Sequence, residues 1–421
     1  MAEPSASPRA PEPATAAAEA LRRKLAWIAI LYFAEGFPFG IVVDNLPVYF
    51  RTHGVSLTEI GMMSLLGMPW TLKVLWAPLV DRFGERRHWI AAALVTLAAL
   101  SFAIPLLDPT RPTIWLWAIL LAFTTASATQ DIAIDAYTIG LLAPGEEGVA
   151  NGVRVSAYRA ALIVGGGGLV ALAAWAGWRA VFWTTALALV VLAVLAARSP
   201  RVGRVAAPGA RQAWLAPLWA WLRRPGAPIV FLFVLTYKLG DASIGPMIKP
   251  FWVDRGLSVQ EIALVSTTFG VVASVLGALA GGVLTSRWGI LRGLAVLGVA
   301  QAVSNLGYAA AAATGAGRAG IYTASLIESF TGGLGTAAFL SFLMNVCDKE
   351  QAATEYALLS AIFSLTRTLA GSLSGLGTSR LGYAPYFAAT FVLALPGLAL
   401  IPWLRPWIHT QRASSGEPPA G

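Results

Sequence analysis

Runs of about 20 apolar residues recur along almost the whole chain, the length that carries an α-helix across the hydrocarbon core of a bilayer. Within the 421 residues, windows of this kind fall at 25–50, 57–80, 88–107, 113–142, 149–174 and 178–198. A second set lies at 228–253, 259–286, 290–314, 318–347, 351–378 and 383–405. Several exceed 25 residues, which implies tilt or ends that protrude from the bilayer. Charged residues make up only 12% and hydrophobic residues 57%, against roughly 25% charge in soluble domains. Such a chain cannot cover itself with water-facing side chains, so a soluble globule is excluded. The expected class is an all-α membrane protein of twelve transmembrane helices, each satisfying its own backbone hydrogen bonds. The one cysteine, Cys347, excludes a disulfide framework and a Cys-based zinc site. His53, His88 and His409 leave little for metal chemistry, and no cofactor is expected.

Five segments result from this reading. Residues 1–24 form a disordered N-terminal tail, without the apolar core of a cleavable signal peptide. Residues 25–198 form one six-helix bundle and 228–405 a second. Between them, 199–227 is a basic cytoplasmic linker, within which Trp214–Leu222 can lie on the membrane surface. Residues 406–421 form a disordered C-terminal tail. With the N-terminus in the cytoplasm, the basic residues flanking the spans divide about three to one in favour of the cytoplasmic side. Both termini are therefore expected there, and the +9 net charge reads as a topology signal rather than a nucleic-acid footprint.

The two sets of spans are related by an internal repeat. Gly54-Val55-Ser56-Leu57-Thr58-Glu59-Ile60 recurs as Gly256-Leu257-Ser258-Val259-Gln260-Glu261-Ile262, offset by 202. Asp81-Arg82-Phe83-Gly84 recurs as Ser286-Arg287-Trp288-Gly289, offset by 205, and Arg159 matches Arg367 at 208. Two six-helix halves related in parallel describe the major facilitator fold, whose halves rock about a midplane cavity. The loop Asp81-Arg82-Phe83-Gly84-Glu85-Arg86-Arg87 resembles that superfamily's G-x-x-x-D-R-x-G-R-R signature, with Ala77 for the first glycine and Glu85 for a basic residue. As a latch it would close the cytoplasmic side through Asp81 and Arg82. Arg287 belongs to a weaker second copy that has Ser286 for the aspartate.

Ionisable residues inside spans cost several kcal/mol unless paired or wetted. Deeper in the spans, away from charges at their ends, lie six acids, Glu35, Asp44, Asp131, Asp135, Asp241 and Glu328, and six bases, Lys73, Arg154, Arg159, Lys238, Lys249 and Arg367. These six acids fall in the first, fourth, seventh or tenth helix, which line the cavity of a major facilitator. At about 1.5 Å per residue, Glu35, Arg159, Lys238 and Glu328 lie near the midplane, where a substrate or proton site belongs. A buried structural pair, such as Glu35 with Arg159, is the plainer alternative. Asp131 and Asp135 stand at i and i+4 on one helical face, near Lys73 and the latch. Asp131 with Gln130 is read as a substrate or proton site, and Asp135 with Lys73 as a charge relay holding the latch. The run Gly165–Gly168 sits inside an apolar span and reads as close helix packing, not a phosphate loop. Trp115, Trp117, Trp175, Trp178, Trp403 and Trp407 read as interfacial anchors.

Several blocks resemble the AmpG-type muropeptide permease family, which includes the related acetyl-CoA transporters. They are Phe33-Ala34-Glu35-Gly36-Phe37-Pro38-Phe39-Gly40, Leu72-Lys73-Val74-Leu75-Trp76-Ala77-Pro78-Leu79-Val80-Asp81-Arg82, and Ser127-Ala128-Thr129-Gln130-Asp131-Ile132-Ala133-Ile134-Asp135-Ala136-Tyr137. The pair Tyr158-Arg159 and the stretch Ala353–Ser360 extend the likeness, which covers residues 25–405. The resemblance implies import of N-acetylglucosaminyl-anhydromuramyl peptides across the bacterial inner membrane, driven by protons, and places Gln130 and Asp131 on a family motif associated with transport. Glu355, where the family usually has Gln, and Thr138-Ile139-Gly140 depart from the pattern and point to a changed substrate.

The sequence thus reads as a proton-coupled secondary transporter, not an enzyme, acting as a monomer with a small molecule, protons and the bilayer as partners and no nucleic acid. Glu35 and Asp131 are the expected proton carriers. Arg159, Lys238, Arg367, Gln130, Tyr158 and Glu328 are the expected substrate contacts, with Arg able to grip carboxylates bidentately. Tyr32, Tyr158, Tyr237 and Tyr308 are candidates for stacking on sugar rings. The gate falls to Asp81, Arg82, Asp135, Lys73 and Arg287. A CoA-ester or siderophore carrier would use the same groups. A non-transporting sensor of the same fold would have neutralised these charges.

Overall fold

Glycines in the left-handed region cut the apolar runs into rods. In the computed structural model of the protein, which describes residues 13–142, 146–202, 223–346 and 352–408, Gly54 and Gly256 adopt φ of 79° and 70°, a conformation that glycine takes without a Cβ penalty. Two residues on, Ser56 and Ser258 each form a capping box with Glu59 and Glu261. The first sequence repeat is therefore a helix stop and then a helix start, once in each half. Gly177 and Gly382, at φ 82° and 78°, form another matched pair of breaks that the sequence repeat does not reveal, because only a glycine and a following aromatic residue are shared.

Among the described residues the regular structure is helical, with no strand. We number the rods α1 (13–52), α2 (57–82), α3 (Arg86–Leu106), α4 (Ile114–Leu141), α5 (147–176), α6 (178–197), α7 (Ala227–Asp254), α8 (Val259–Trp288), α9 (Ile290–Ala313), α10 (Arg318–Asn345), α11 (Ala352–Leu381) and α12 (Tyr383–Trp407). Nine stretches among the described residues are long and apolar enough to cross a membrane, one of which, Val153–Ala197, runs through both α5 and α6. The rods α2 and α11 fall outside that set; α2 carries Glu59, Lys73, Asp81 and Arg82, and α11 is rich in serine and threonine.

The expected tail 1–24 needs correction. Helix begins at Pro13, because proline suits a first helical turn and Ala14, Ala16, Ala17, Ala18 and Ala20 are the strongest helix formers. Residues 1–12 and 409–421, the surface helix expected at 214–222, and Cys347 lie outside the described residues, as do the side chains of Asp81, Arg82 and Glu355.

Apolar packing divides the molecule into two bundles. One core gathers Leu31, Leu94, Phe123, Ile134 and Leu189 from α1–α6, and another gathers Phe233, Leu297, Phe339 and Phe342 from α7–α12. A further cluster joins the bundles at the end away from the chain termini, where Tyr49, Phe50 and Phe182 share a core with Phe251, Trp252, Tyr308 and Phe387. Two seams continue this closure. Along α2 and α11, Thr58 meets Ser379 at 3.4 Å and Thr71 meets Ser364 at 2.9 Å. Between them, a Cβ on Gly61 would stand 3.0 Å from the Gly375 Cα, and one on Gly67 3.1 Å from Thr368 Oγ1. Along α5 and α8, Gly165–Gly168 packs against Ile262–Phe269. Among the described residues the halves are thus zipped from the far end to about mid-depth, which leaves the end that carries the termini as the side where a chamber between them can open.

The α2–α11 seam yields a direct test. Gly61→Val or Gly375→Val over-packs it, at a cost of about 1–3 kcal/mol. Oxidative cross-linking of a Thr58→Cys/Ser379→Cys pair is expected to be efficient in the parent and to fall sharply when either valine is added.

Candidate functional site

The embedded charges sort into pairs and a remainder. Lys73 on α2 lies 3.6 Å from Asp131 on α4, and Arg154 on α5 lies 3.1 Å from Asp135. Lys238 and Asp241 pair within α7 at 3.1 Å, and Lys249 on α7 pairs with Asp44 on α1 at 3.1 Å. Four acids and four bases are thereby neutralised, as a low-dielectric site requires. The remaining acids are Glu35 and Glu328, and the remaining bases Arg159 and Arg367. Neither arginine has a carboxylate within salt-bridge reach among the described residues. The Glu35–Arg159 pair considered as the plainer alternative is not formed.

Around Glu35, burial and polarity converge. Glu35 and Asp131 are each 8% exposed, and Glu35 Oε2 and Asp131 Oδ1 have no hydrogen-bond partner among the described residues. Gln130, on the same turn of α4, is fully buried with both amide atoms unpartnered among those residues. Glu35 stands in the electrostatic field of Asp131, Asp135, Lys73 and Arg154. Asp135 accepts from the Tyr32 hydroxyl at 2.7 Å, and the Arg154 guanidinium lies 4.5 Å over the Tyr32 ring. Asp135 therefore ties α1, α4 and α5 together within one half. Close approach of α1 to α5 is set by Gly36, whose Cβ would stand 2.8 Å from the Tyr158 carbonyl.

Tyr158 joins the halves electrostatically. Its hydroxyl stands in the field of Asp131, Glu35 and Arg159 of its own half and of Arg367 of the other. Beside it, the Phe39 ring lies 6.2 Å from Tyr158 and 5.2 Å, edge-on, from Trp70. Phe39 and Trp70 were not singled out from sequence, because single aromatics in apolar helices carry no mark of which way they face. The other tyrosines proposed for sugar stacking are corrected. Tyr32 holds Asp135, Tyr237 donates to the Leu294 carbonyl at 3.0 Å, and Tyr308 is buried against Trp252, so their hydroxyls are engaged inside the bundles.

The second half has its own polar cluster. Lys238 falls at a break between two helical segments of α7, is 2% exposed, and donates to Gln301 Oε1 at 2.9 Å as well as pairing with Asp241. Glu328 on α10 lies in the field of Asp241, Lys238 and Lys249, with the Ser329 hydroxyl 3.4 Å away. At the termini end, Arg287 is exposed in the last turn of α8. The loop after Asp81 and Arg82 is held by Glu85, which accepts from Arg87 at 2.6 Å and faces Arg201 at 3.7 Å. The Arg87 hydrogen bond keeps the Glu85 carboxyl below the usual range. The residue that departs from the loop signature thus anchors the loop to the end of α6.

Paired and unpaired bases should respond differently to removal. Lys238→Met strands Asp241 and is expected to cost about 2–3 kcal/mol, discounted from the ~3–5 kcal/mol of a fully buried pair because Asp241 is 29% exposed. Arg159→Gln and Arg367→Gln break no described ion pair and should leave the thermal midpoint of detergent-solubilised protein nearly unchanged.

Comparison with known proteins agrees with this architecture. The family model described as Major Facilitator Superfamily matches residues 28–237. The anhydromuropeptide permease of Escherichia coli K12 is 33% identical over 383 residues, covering 89% of this chain and 78% of that one. The putative transporter AmpG 4 of Rickettsia conorii is 27% identical, with 90% and 95% covered. Among solved structures, a bacterial homologue of the human lysosomal transporter Spinster, inward-facing and unoccupied, superposes with a TM-score of 0.76 at 16% identity, covering 93% and 99%. The nucleoside transporter NupG gives 0.70 at 15%, covering 91% and 98%. These two likenesses establish the fold. The chain belongs to the AmpG-type permease family of the major facilitator superfamily, multi-pass membrane transporters rather than enzymes.

Proposed function

We propose that this secondary transporter imports a polar, anionic, anhydromuropeptide-like molecule across the bacterial inner membrane, driven by protons and by alternating access. The observation that carries the reading is the pair of arginines left over after every other embedded base is matched. Arg159 and Arg367 occupy equivalent positions of the repeat, one in each half, and both act on Tyr158. A carboxylate between two guanidiniums gains charge-assisted, bidentate hydrogen bonds. It also bridges α5 and α11, so binding favours a state in which the halves come together around the cargo. Phe39, Trp70 and Tyr158 supply flat faces for a sugar ring. Gln130, fully buried with neither amide atom engaged by the described residues, suits an amide or hydroxyl of the cargo.

Glu35 and Asp131 are the proton carriers in this reading. A proton on Asp131 releases Lys73, and a proton on Glu35 removes a negative charge from the neighbourhood of the anionic cargo. Loading the proton and loading the anion therefore favour one another electrostatically. Lys238 and Glu328 shape the opposite wall of the chamber. Asp81, Arg82 and Arg287 lie where a gate at the termini end belongs, with Lys73 and Asp135 bracing the helices behind it. The distribution of basic loops supports both termini in the cytoplasm, and the protein acts as a monomer.

Uptake of labelled anhydromuropeptide into membrane vesicles, with and without a pH gradient, tests the reading. Asp131→Asn should abolish gradient-driven uptake with expression intact; full uptake would remove Asp131 from the mechanism. Arg159→Gln should weaken cargo binding about tenfold or more, the scale of a lost charged hydrogen bond of ~1.5–3 kcal/mol. Unchanged affinity would take Arg159 out of the site.

A further inference from the structure

Three widened helical turns meet at one buried ion pair. Most of each rod is α-helical, but α1 widens to a π-turn at Ile41–Asn45, α5 at Ile163–Gly168 and α8 at Ile262–Phe269. Such turns are rare and concentrate at functional positions. Here they surround Asp44 and Lys249, whose side chains are 14% and 11% exposed and whose charged atoms lie 3.1 Å apart. Lys249 Nζ also donates to Thr267 Oγ1 at 2.5 Å, and the Asn45 amide donates to the Gly165 carbonyl. One half contributes Asp44, Asn45 and Gly165, and the other Lys249 and Thr267.

The glycine run makes this meeting possible. A Cβ on Gly166 would stand 3.1 Å from the Asp44 Cβ and 2.9 Å from Thr267 Cγ2. One on Gly167 would stand 3.0 Å from the Ala263 carbonyl. The run is therefore a docking face for α8 and for the Asp44 carboxylate, not only generic packing. Farther towards the same end, Arg51 pairs with Asp254, and Tyr383 donates to Asp254 at 2.7 Å.

We propose that Asp44, Lys249, Thr267 and Gly166 form the gate at the end away from the termini, the counterpart of the gate sought around Asp81. Cargo bound between Arg159 and Arg367 must pass this layer, and α1 with α5 cannot leave α7 with α8 without parting Asp44 from Lys249. In the closed state each charge is compensated by the other. In the open state water compensates both. The pair thus holds two discrete arrangements, and the π-turns place Asp44 and Thr267 sideways onto it. These are positioning residues: they set which end is open and make no contact with the cargo.

The test reads the gate itself, without cargo or a proton gradient, so its outcome is separable from that of the transport reading. Spin labels go on Arg111→Cys and Thr314→Cys, exposed in the α3–α4 and α9–α10 loops of opposite halves, in a Cys347→Ser background. Distances are measured by double electron–electron resonance in nanodiscs. The parent should give one short, narrow population. Asp44→Asn leaves Lys249 uncompensated only when closed, and should raise the ratio of long to short distances about tenfold or more. Gly166→Ala should act in the same direction as a wedge, and Thr267→Val more weakly. Exchanging the charges, Asp44→Lys with Lys249→Asp, should return the distribution towards the parent's. An unchanged distribution in Asp44→Asn, or a charge exchange that is no better than either single change, overturns the proposal. Thr267→Val keeps both charges and serves as the variant least prone to misfolding; a parent-like distribution in it removes Thr267 from the gate.

Discussion

A lone charge in hydrocarbon costs several kcal/mol, and this chain carries twelve ionisable groups deep in its membrane rods. Neutralisation of those groups orders the whole structure. Four ion pairs absorb eight of them, and all but the pair within α7 also fix helices to one another. Lys73–Asp131 holds α2 to α4, Arg154–Asp135 with Tyr32 holds α1, α4 and α5, and Asp44–Lys249 joins the halves. The remainder is two carboxylic acids and two guanidiniums. Glu35, Arg159 and Arg367 act together on Tyr158, whereas Glu328 lies with Asp241, Lys238 and Lys249 in the other half.

The same constraint explains the asymmetry between the two ends. Small residues on α2, α5, α8 and α11 let the halves close at the far end, where an aromatic core and two cross-half ion pairs reinforce them. Towards the termini, each described ion pair lies within one half. A transporter that alternates needs each end to be closable and neither to be fused.

Much of this was legible in sequence, for reasons that can be named. The apolar windows locate most rods to within a few residues because the hydrocarbon thickness fixes their length. The Gly-x-Ser-x-x-Glu-Ile repeat is visible because a left-handed glycine and a capping box each demand particular residues. The set of embedded charges was also visible, because nothing else in an apolar span resembles them. Their partners were not. Asp44 and Lys249 stand 205 residues apart on different halves, and nothing local to either records the other. The tyrosines mislead for a related reason: Tyr32, Tyr237 and Tyr308 look like binding residues until their hydroxyls are seen to be engaged. Pro13–Lys24 was misread because its alanines suit a helix as well as a tail. The apolar rod that begins at Leu25 decides between them, since a helix already formed there extends backwards into the alanines at little cost.

On the proposed reading, two arginines without a described carboxylate partner and the Glu35–Asp131 acids make one linked site for an anion and a proton. Isothermal titration of the purified transporter with anhydromuropeptide, in buffers of different ionisation heat, measures cargo affinity and proton exchange together. Linkage predicts binding accompanied by net proton uptake, with both lost in the Arg159→Gln/Arg367→Gln double variant. Binding of the same strength in that variant, with no proton exchanged in either protein, would contradict it.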